Sequence, residues 1–175
     1  MHFFKKYSEN VVKYDLINKF KYKTINNVPR IEFITLNFNF KKFDTKMLLS
    51  ALAALELITS NKGALIKSKS SNISLKIRKG QPIGCKITLR NASMNQFLFN
   101  ILNKLIIDNN IKKKTSLNLF SIKLQNILMF KELEQNYRFF KNLYNLNLNI
   151  KTTDCKFEEF VFLLTSFKFL KYKQK

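Results

Sequence analysis

The stretch from Leu75 to Arg90 reads Leu-Lys-Ile-Arg-Lys-Gly-Gln-Pro-Ile-Gly-Cys-Lys-Ile-Thr-Leu-Arg and carries the strongest structural signal in the chain. The whole chain has three glycines and two prolines, yet Gly80, Pro82 and Gly84 fall within five residues here. Glycine permits backbone angles that other residues avoid, and proline restricts φ. The spacing therefore predicts a rigidly specified turn.

A strand is predicted directly after this turn, because apolar and polar residues alternate there as they do on a half-buried strand. One face of the strand is then free to enter a core, while the other offers hydrogen-bond donors to a partner. The apolar set is Cys85, Ile87 and Leu89, and the polar set is Lys86, Thr88 and Arg90.

The composition indicates a folded protein with a polyanionic partner. A chain of 175 residues with 46% hydrophobic content is long enough for one domain with a packed core, which we expect to span residues 1–175. The net charge of +21 predicts a partner such as RNA, because a free protein of that charge repels itself. No run of residues approaches the ~20 apolar positions of a membrane span.

The chain has few residues suited to catalysis or metal binding, so we expect neither an enzyme nor a cofactor. His2 is terminal, and the adjacent Glu158 and Glu159 diverge on a helix and cannot flank a bond. The glycine-rich turn lacks the spacing of a phosphate-binding loop. Two cysteines, Cys85 and Cys155, are too few for a disulfide framework or, with one histidine, a closed zinc site. Both are expected to be small buried side chains.

Three segments resemble the family of large-subunit ribosomal protein five, which holds 5S rRNA in the central protuberance. The family pattern Phe-Lys-Ile-Arg-x-Gly, Tyr-Pro-Ile-Gly-Cys-Lys, Val-Thr-Leu-Arg appears without gaps as residues 75–90. Residues 28–37 resemble the family's first strand, and residues 148–164 resemble its last strand and helix. The resemblance keeps the family's chain order and spans nearly the whole chain.

The predicted fold class is α+β: a mostly antiparallel sheet of about five strands, with helices packed on one face and a protruding basic loop at 67–79. Periodicity and capping signals place the helices. A polar break is expected at Asp108–Thr115. The predicted helices are Lys5–Lys19, a segment capped by Asp44 or Thr45 that runs through Leu57 and ends at Asn61–Gly63, one opened by a capping box at Ser93–Gln96, a short one within Leu133–Tyr144, and one started by Thr153 or Asp154.

Three of the four arginines lie inside the matched motifs, at Arg30, Arg78 and Arg90. A guanidinium offers a planar fork of donors and stacks well, so these positions suit RNA binding. An edge salt bridge is the alternative role for Arg30. For Thr88 and Arg90, the shared face of the strand favours a joint role over a merely exposed sheet face.

The resemblance implies two RNA-contacting regions. In the family, an asparagine, a glutamine, a threonine and an arginine on the sheet contact 5S rRNA. A basic loop reaches the elbow of P-site tRNA, and the family also touches a small-subunit head protein across an intersubunit bridge. Here these four positions are Asn37, Asn61, Thr88 and Arg90, with Asn61 in place of the family's glutamine. The motif arginine Arg30 completes the predicted rRNA-binding set. The tRNA-contacting set is Lys67, Lys69, Lys76, Arg78 and Lys79.

The predicted function is a structural constituent of the large ribosomal subunit that binds rRNA, including 5S rRNA where the ribosome has one, alongside neighbouring large-subunit proteins. The alternative is a free-standing organellar RNA-binding or maturation factor, and peripheral membrane binding ranks last. Eighteen phenylalanines, no tryptophan and few glycines indicate an AT-rich genome. We therefore expect an organelle-encoded mitochondrial protein without an import signal, with the cytoplasm of an AT-rich bacterium as the alternative.

Overall fold

The computed structural model describes residues 3–40, 44–105, 112–143 and 145–170. Its strands form one six-stranded sheet in the order β2-β3-β1-β6-β5-β4. The sheet is antiparallel with the helices packed on it, which confirms the predicted α+β class. The strands are β1 (Ile31–Asn39), β2 (Ala64–Lys67), β3 (Pro82–Leu89), β4 (Lys112–Ser116), β5 (Leu119–Leu124) and β6 (Leu146–Thr152).

The polar break expected at 108–115 is wrong where the structure describes it, because Lys112–Thr115 lies in β4 at one edge of the sheet. Residues 108–111 lie outside the described residues. Charged side chains are tolerated on an edge strand, where they discourage pairing with another chain. A lysine run is therefore compatible with a strand, and β4 is a strand that the sequence did not predict.

Apolar residues alternate along the central strands, and the alternate positions are buried, as predicted for the strand that is now β3. Side chains on a strand point to opposite faces in turn, so one face of each strand enters the core. The buried positions are Ile34, Leu36 and Phe38 on β1, Cys85, Ile87 and Leu89 on β3, Phe120, Ile122 and Leu124 on β5, and Leu146, Leu148 and Ile150 on β6.

The helices agree with the predicted segments more closely in the middle than at their ends. The helical elements are α1 (Phe3–Tyr7), a π-helical turn (Ser8–Val12), α2 (Lys13–Lys19), a 3₁₀ turn (Ile25–Asn27), α3 (Thr45–Thr59), α4 (Asn91–Leu105), α5 (Lys131–Glu134), α6 (Tyr137–Phe140) and α7 (Phe157–Ser166). None of these described helices is long and apolar enough to cross a membrane.

Helix α3 has its predicted start but a different end. The Asp44 side chain accepts a hydrogen bond from the backbone N–H of Lys46 at 3.0 Å, which caps the helix. The left-handed residue that ends it is Ser60, with φ 55°. Gly63 lies three residues beyond Ser60, and its backbone N–H donates to Glu56 Oε1 at 2.9 Å.

Helix α7 begins at Phe157, so its predicted start at Thr153 or Asp154 is wrong. Both side chains are used elsewhere: Thr153 Oγ1 accepts the backbone N–H of Arg30 at 3.1 Å, and Asp154 Oδ1 accepts the Asn118 amide at 2.9 Å. Glu158 and Glu159 lie in the first turn of the helix, as the dipole favours.

Helix α4 begins at Asn91, with φ 50°, two residues before the predicted capping box. The Ser93 hydroxyl donates to the backbone carbonyl of Arg90 at 3.0 Å. The serine therefore hydrogen-bonds backward along the chain, and the box does not open the helix. The predicted helix within 133–144 is two short helices, α5 and α6, and Tyr144 lies outside the described residues.

The chain divides into two compact units, whose boundaries fall within β1, β3, β5 and β6. In the first unit, the rings of Phe4 and Phe167 stack with centroids 4.8 Å apart, and the Tyr7 hydroxyl donates to the Ser166 carbonyl. In the second unit, α3 packs against α5 and α6. The first unit contains the described residues of Met1–Ile34, Leu89–Ser121 and Asn149–Lys175, and the second contains those of Thr35–Thr88 and Ile122–Leu148.

Candidate nucleic-acid interface

The basic loop, defined as Lys67–Lys79, leaves the sheet from a hydrogen-bonded base. The backbone N–H of Ser68 donates to the Gln81 carbonyl at 2.8 Å, and that of Gly80 donates to the Ser68 carbonyl at 3.0 Å. Gly80 has φ 83°, a left-handed conformation that favours glycine. The Gln81 side chain accepts the backbone N–H of Arg78 at 3.0 Å. Hydrogen bonds therefore close the base of the loop between the end of β2 and the start of β3.

The tip of the basic loop is a tight turn. Asn72 and Ile77 form an antiparallel bridge with backbone hydrogen bonds of 2.9 and 3.0 Å. The Asn72 side chain also accepts hydrogen bonds from Ser74 and Leu75 inside the turn. The loop prediction is right for 68–79, whereas Lys67 is the last residue of β2. Ile77 is buried, whereas Ile73 within the turn is almost fully exposed.

All charged residues of the basic loop are cations. No acidic residue occurs within 67–79. Each predicted tRNA-contacting cation is exposed, so each has its charged group available to a polyanion. These cations are Lys67, Lys69, Lys76, Arg78 and Lys79.

In the second unit, the polar side of β3 is exposed at Lys86 and Thr88. Gly84 lies in the same strand, where a Cβ would collide with the Phe38 carbonyl oxygen of β1. Gly84 therefore serves the close approach of two strands, whereas Gly80 is the glycine that adopts a left-handed conformation in the turn.

Asn37 and Asn61 in the second unit are both half-buried. The Oδ1 atom of Asn37 is buried and has no hydrogen-bond partner among the described residues. Buried polar atoms are nearly always hydrogen-bonded, so this oxygen requires an ordered water or another donor that the described residues do not supply. Asn61 uses its backbone N–H in a 3.4 Å contact to Thr59 Oγ1.

In the first unit, Arg90 is exposed, and its guanidinium carbon lies 5.3 Å from the centroid of the Phe33 ring. Arg30 is also exposed, at the edge of a cleft of about 660 Å³. The backbone of Arg30 pairs with Thr153 in both directions, at 3.0 and 3.1 Å. Within the described residues its guanidinium makes no ion pair, so the edge salt bridge is not formed.

The cysteines behave as structural side chains. Cys85 is fully buried, and burial raises its pKa to about 12. Cys155 is half-buried rather than buried; burial raises its pKa, and its thiol donates to Asn118 Oδ1 at 3.2 Å. Both thiols stay protonated at neutral pH, which makes them poor nucleophiles and metal ligands. No group of three potential metal ligands occurs among the described residues.

Two residues of the candidate interface were not singled out by the sequence. Phe33 was detectable as an aromatic residue on the polar face of an alternating strand. Gln81 gives no signal of its own, because its role at the loop base depends on the backbone position of Arg78.

Comparison with known proteins gives whole-length relatives, although no family model matches the chain. The large ribosomal subunit protein uL5m of Reclinomonas americana is 36% identical across 96% of this chain and 97% of its own length. The protein uL5 of Nitrosomonas europaea is 32% identical, with 93% and 94% coverage. The protein uL5c of Oedogonium cardiacum is 34% identical, with 92% coverage of both.

These relatives include mitochondrial, chloroplast and bacterial proteins, and all of them carry the name of one ribosomal protein. Such similarity along the whole length favours the ribosomal role over a free-standing RNA-binding factor. With its α+β sheet, its exposed cations and these relatives, the chain belongs to the uL5 family of large ribosomal subunit proteins, a structural family without enzymatic activity.

Proposed function

We propose that this chain binds rRNA in the central protuberance through Arg30, Asn37, Asn61, Thr88 and Arg90, with 5S rRNA as the target where the ribosome has one. The observation that carries this proposal is the polar face at the end of β3. Lys86, Thr88 and Arg90 are exposed there, while the alternate residues are buried. A strand with one face in the core and one cationic, donor-rich face is suited to a polyanionic partner.

Asn37 supports the same assignment. Its buried Oδ1 atom has no partner in the described protein. RNA offers suitable donors, namely the exocyclic amines of bases and the ribose 2′-hydroxyl. Because the oxygen is buried, an RNA donor reaches it only after the Asn37 side chain turns outward, and the new hydrogen bond would then replace the one that burial takes from water.

Cross-linking followed by sequencing tests this proposal. The protein is irradiated within purified large subunits, and the attached RNA and the attached peptides are identified. We expect rRNA of the central protuberance joined to peptides that contain the five residues. Cross-links confined to other surfaces of the chain would contradict the assignment.

Replacing Arg90 with alanine is expected to weaken rRNA binding by ~1–3 kcal/mol, the scale of a good arginine–base contact in DNA. Stability should change little, because the side chain is exposed. The measurement is the Kd for the recovered rRNA segment, alongside thermal unfolding. Arg138→Ala is the matched control, because Arg138 is an exposed arginine of α6 outside the proposed site. Unfolding of the Arg90 variant would show a structural role instead.

We propose that the basic loop contacts P-site tRNA and does not anchor the protein to rRNA. Changing Lys67, Lys69, Arg78 and Lys79 together to alanine should leave incorporation into the large subunit nearly intact. Retention of P-site tRNA should weaken, and the slope of log affinity against log salt should fall by up to about four, one for each phosphate that is no longer neutralised.

The control for the loop variant removes the same charge elsewhere, through alanine at the exposed Lys6, Lys21, Lys23 and Lys168. Sedimentation measures assembly, and filter binding measures tRNA retention. Loss of assembly with normal tRNA retention would place the basic loop in the rRNA interface.

We also propose that the protein is mitochondrial and encoded in the organelle, and that it touches a small-subunit head protein across the intersubunit bridge. The phenylalanine-rich composition and the mitochondrial relative support the location. Sequencing mitochondrial and nuclear DNA separately locates the gene and tests the proposed mitochondrial origin. A gene in a bacterial genome would favour the cytoplasm of an AT-rich bacterium instead.

A further inference from the structure

The Arg90 guanidinium lies over an aromatic ring that takes no part in the fully buried core. Phe33 lies on β1 between Glu32 and Ile34, and its side chain is half-buried while Ile34 is completely buried. Alternation places Phe33 on the polar side of β1. The 5.3 Å between the Arg90 guanidinium carbon and the ring centroid is within the range of a cation–π contact.

The ring holds the guanidinium without using its hydrogen-bond donors. A phenyl ring attracts the cation through its π face and carries no oxygen or nitrogen acceptor that could occupy the five N–H donors of arginine. Among the described residues, no carboxylate pairs with Arg90. The donors of Arg90 therefore remain available to a ligand, while the ring restricts the rotamers of an otherwise free, exposed side chain.

We infer that Phe33 is a positioning residue for Arg90: it pre-orders the guanidinium for RNA and contributes to affinity through that side chain. This inference rests on the proposed rRNA-binding function. It requires the aromatic face of Phe33 and not merely its apolar volume, which separates it from a packing role.

A double-mutant cycle tests this coupling. The probe is a synthetic transcript of the rRNA segment recovered with the protein, and the four proteins are the unaltered chain, F33L, R90A and F33L/R90A. We expect F33L to raise Kd about threefold, the scale of an exposed cation–π contact. The double variant should bind no more weakly than R90A alone. A threefold loss that persists in the R90A background would overturn the inference.

F33Y supplies the rescue, because tyrosine retains the ring face that leucine lacks. We expect F33Y to bind with the Kd of the unaltered chain, and the thermal unfolding midpoints of F33L and F33Y to agree. Weak binding by both variants would overturn the positioning role and assign Phe33 to packing.

Failure of the proposed function gives a different result. If the unaltered chain does not bind the transcript, or if R90A binds as well as the unaltered chain, the assignment of Arg90 to rRNA is wrong and the inference falls with it. If R90A weakens binding and F33L does not, the proposed function stands and only the role of Phe33 is overturned.

Discussion

RNA binding by this chain is expected to weaken on the order of a thousandfold or more between ~50 and ~200 mM salt, if it neutralises about 6–10 phosphates as comparable DNA-binding proteins do. The reason is the net charge of +21, much of it on exposed lysines. Each cation that neutralises a phosphate releases a condensed counterion, and added salt opposes that release. The effect is larger than that of any single side chain in the interface.

Titration of the recovered rRNA segment at a series of salt concentrations measures this dependence. The slope of log affinity against log salt counts the neutralised phosphates. The internal comparison is the variant in which Lys67, Lys69, Arg78 and Lys79 are all changed to alanine. Its slope on rRNA should match that of the unaltered chain, because the loop is assigned to tRNA. A flat salt response of the unaltered chain would remove the electrostatic basis of the proposal.

Replacing Gly84 with alanine is expected to destabilise the fold by about 3 kcal/mol, the upper end of the cost of overpacking. The new Cβ would collide with the Phe38 carbonyl oxygen and would also come within 3.2 Å of Asn39 Oδ1. A backbone oxygen in a sheet cannot move aside without disturbing the pairing of β3 with β1. Chemical denaturation measures the change in the free energy of unfolding.

Gly63→Ala and Gly80→Ala are the matched controls. At Gly63 the new Cβ would meet Leu52 Cδ1 at 2.5 Å, and this side-chain end is able to turn away. At Gly80 nothing lies within 4 Å, so the φ of 83° alone should cost about 1 kcal/mol. If Gly84→Ala is no more destabilising than these two controls, the close approach of the strands does not limit residue 84.

The strands were predictable from the sequence because their signal is local. A period of two needs only a few residues, and burial of one face enforces it along each strand. Cys85, Ile87 and Leu89 were therefore assigned to the correct face without knowledge of any neighbour. The order of the strands carries no such signal, because pairing joins segments that are distant in the chain.

The ends of the helices were less predictable because tertiary hydrogen bonds compete with caps. Asp154 has the side chain of a good N-cap, but it binds Asn118, which lies 36 positions earlier. Ser60 adopts the left-handed conformation although Gly63 is three residues away. A capping signal shows that a residue is able to end a helix, and only the fold determines which one does.

The residues of the candidate site also differ in whether a local sequence signal identifies them. Thr88, Arg90 and the cations of the basic loop were found because they lie in recognisable motifs or in a local run of charge. Phe33 was missed because its significance depends on Arg90, which lies 57 positions away and reaches the ring only across the sheet. Asn37 was named by resemblance, but its unpartnered oxygen is visible only in the structure.

The position of β1 between β3 and β6 has a consequence for how the nascent chain matures. The backbone partner of Arg30 at the end of β6 lies 123 positions later in the chain. At translation rates of 5–20 residues per second, β1 waits roughly 10 s for that neighbour. During this interval the edge of β1 that later pairs with β6 is open to chaperones and to aggregation. Completion of the carboxyl-terminal strand ends the exposure of that edge.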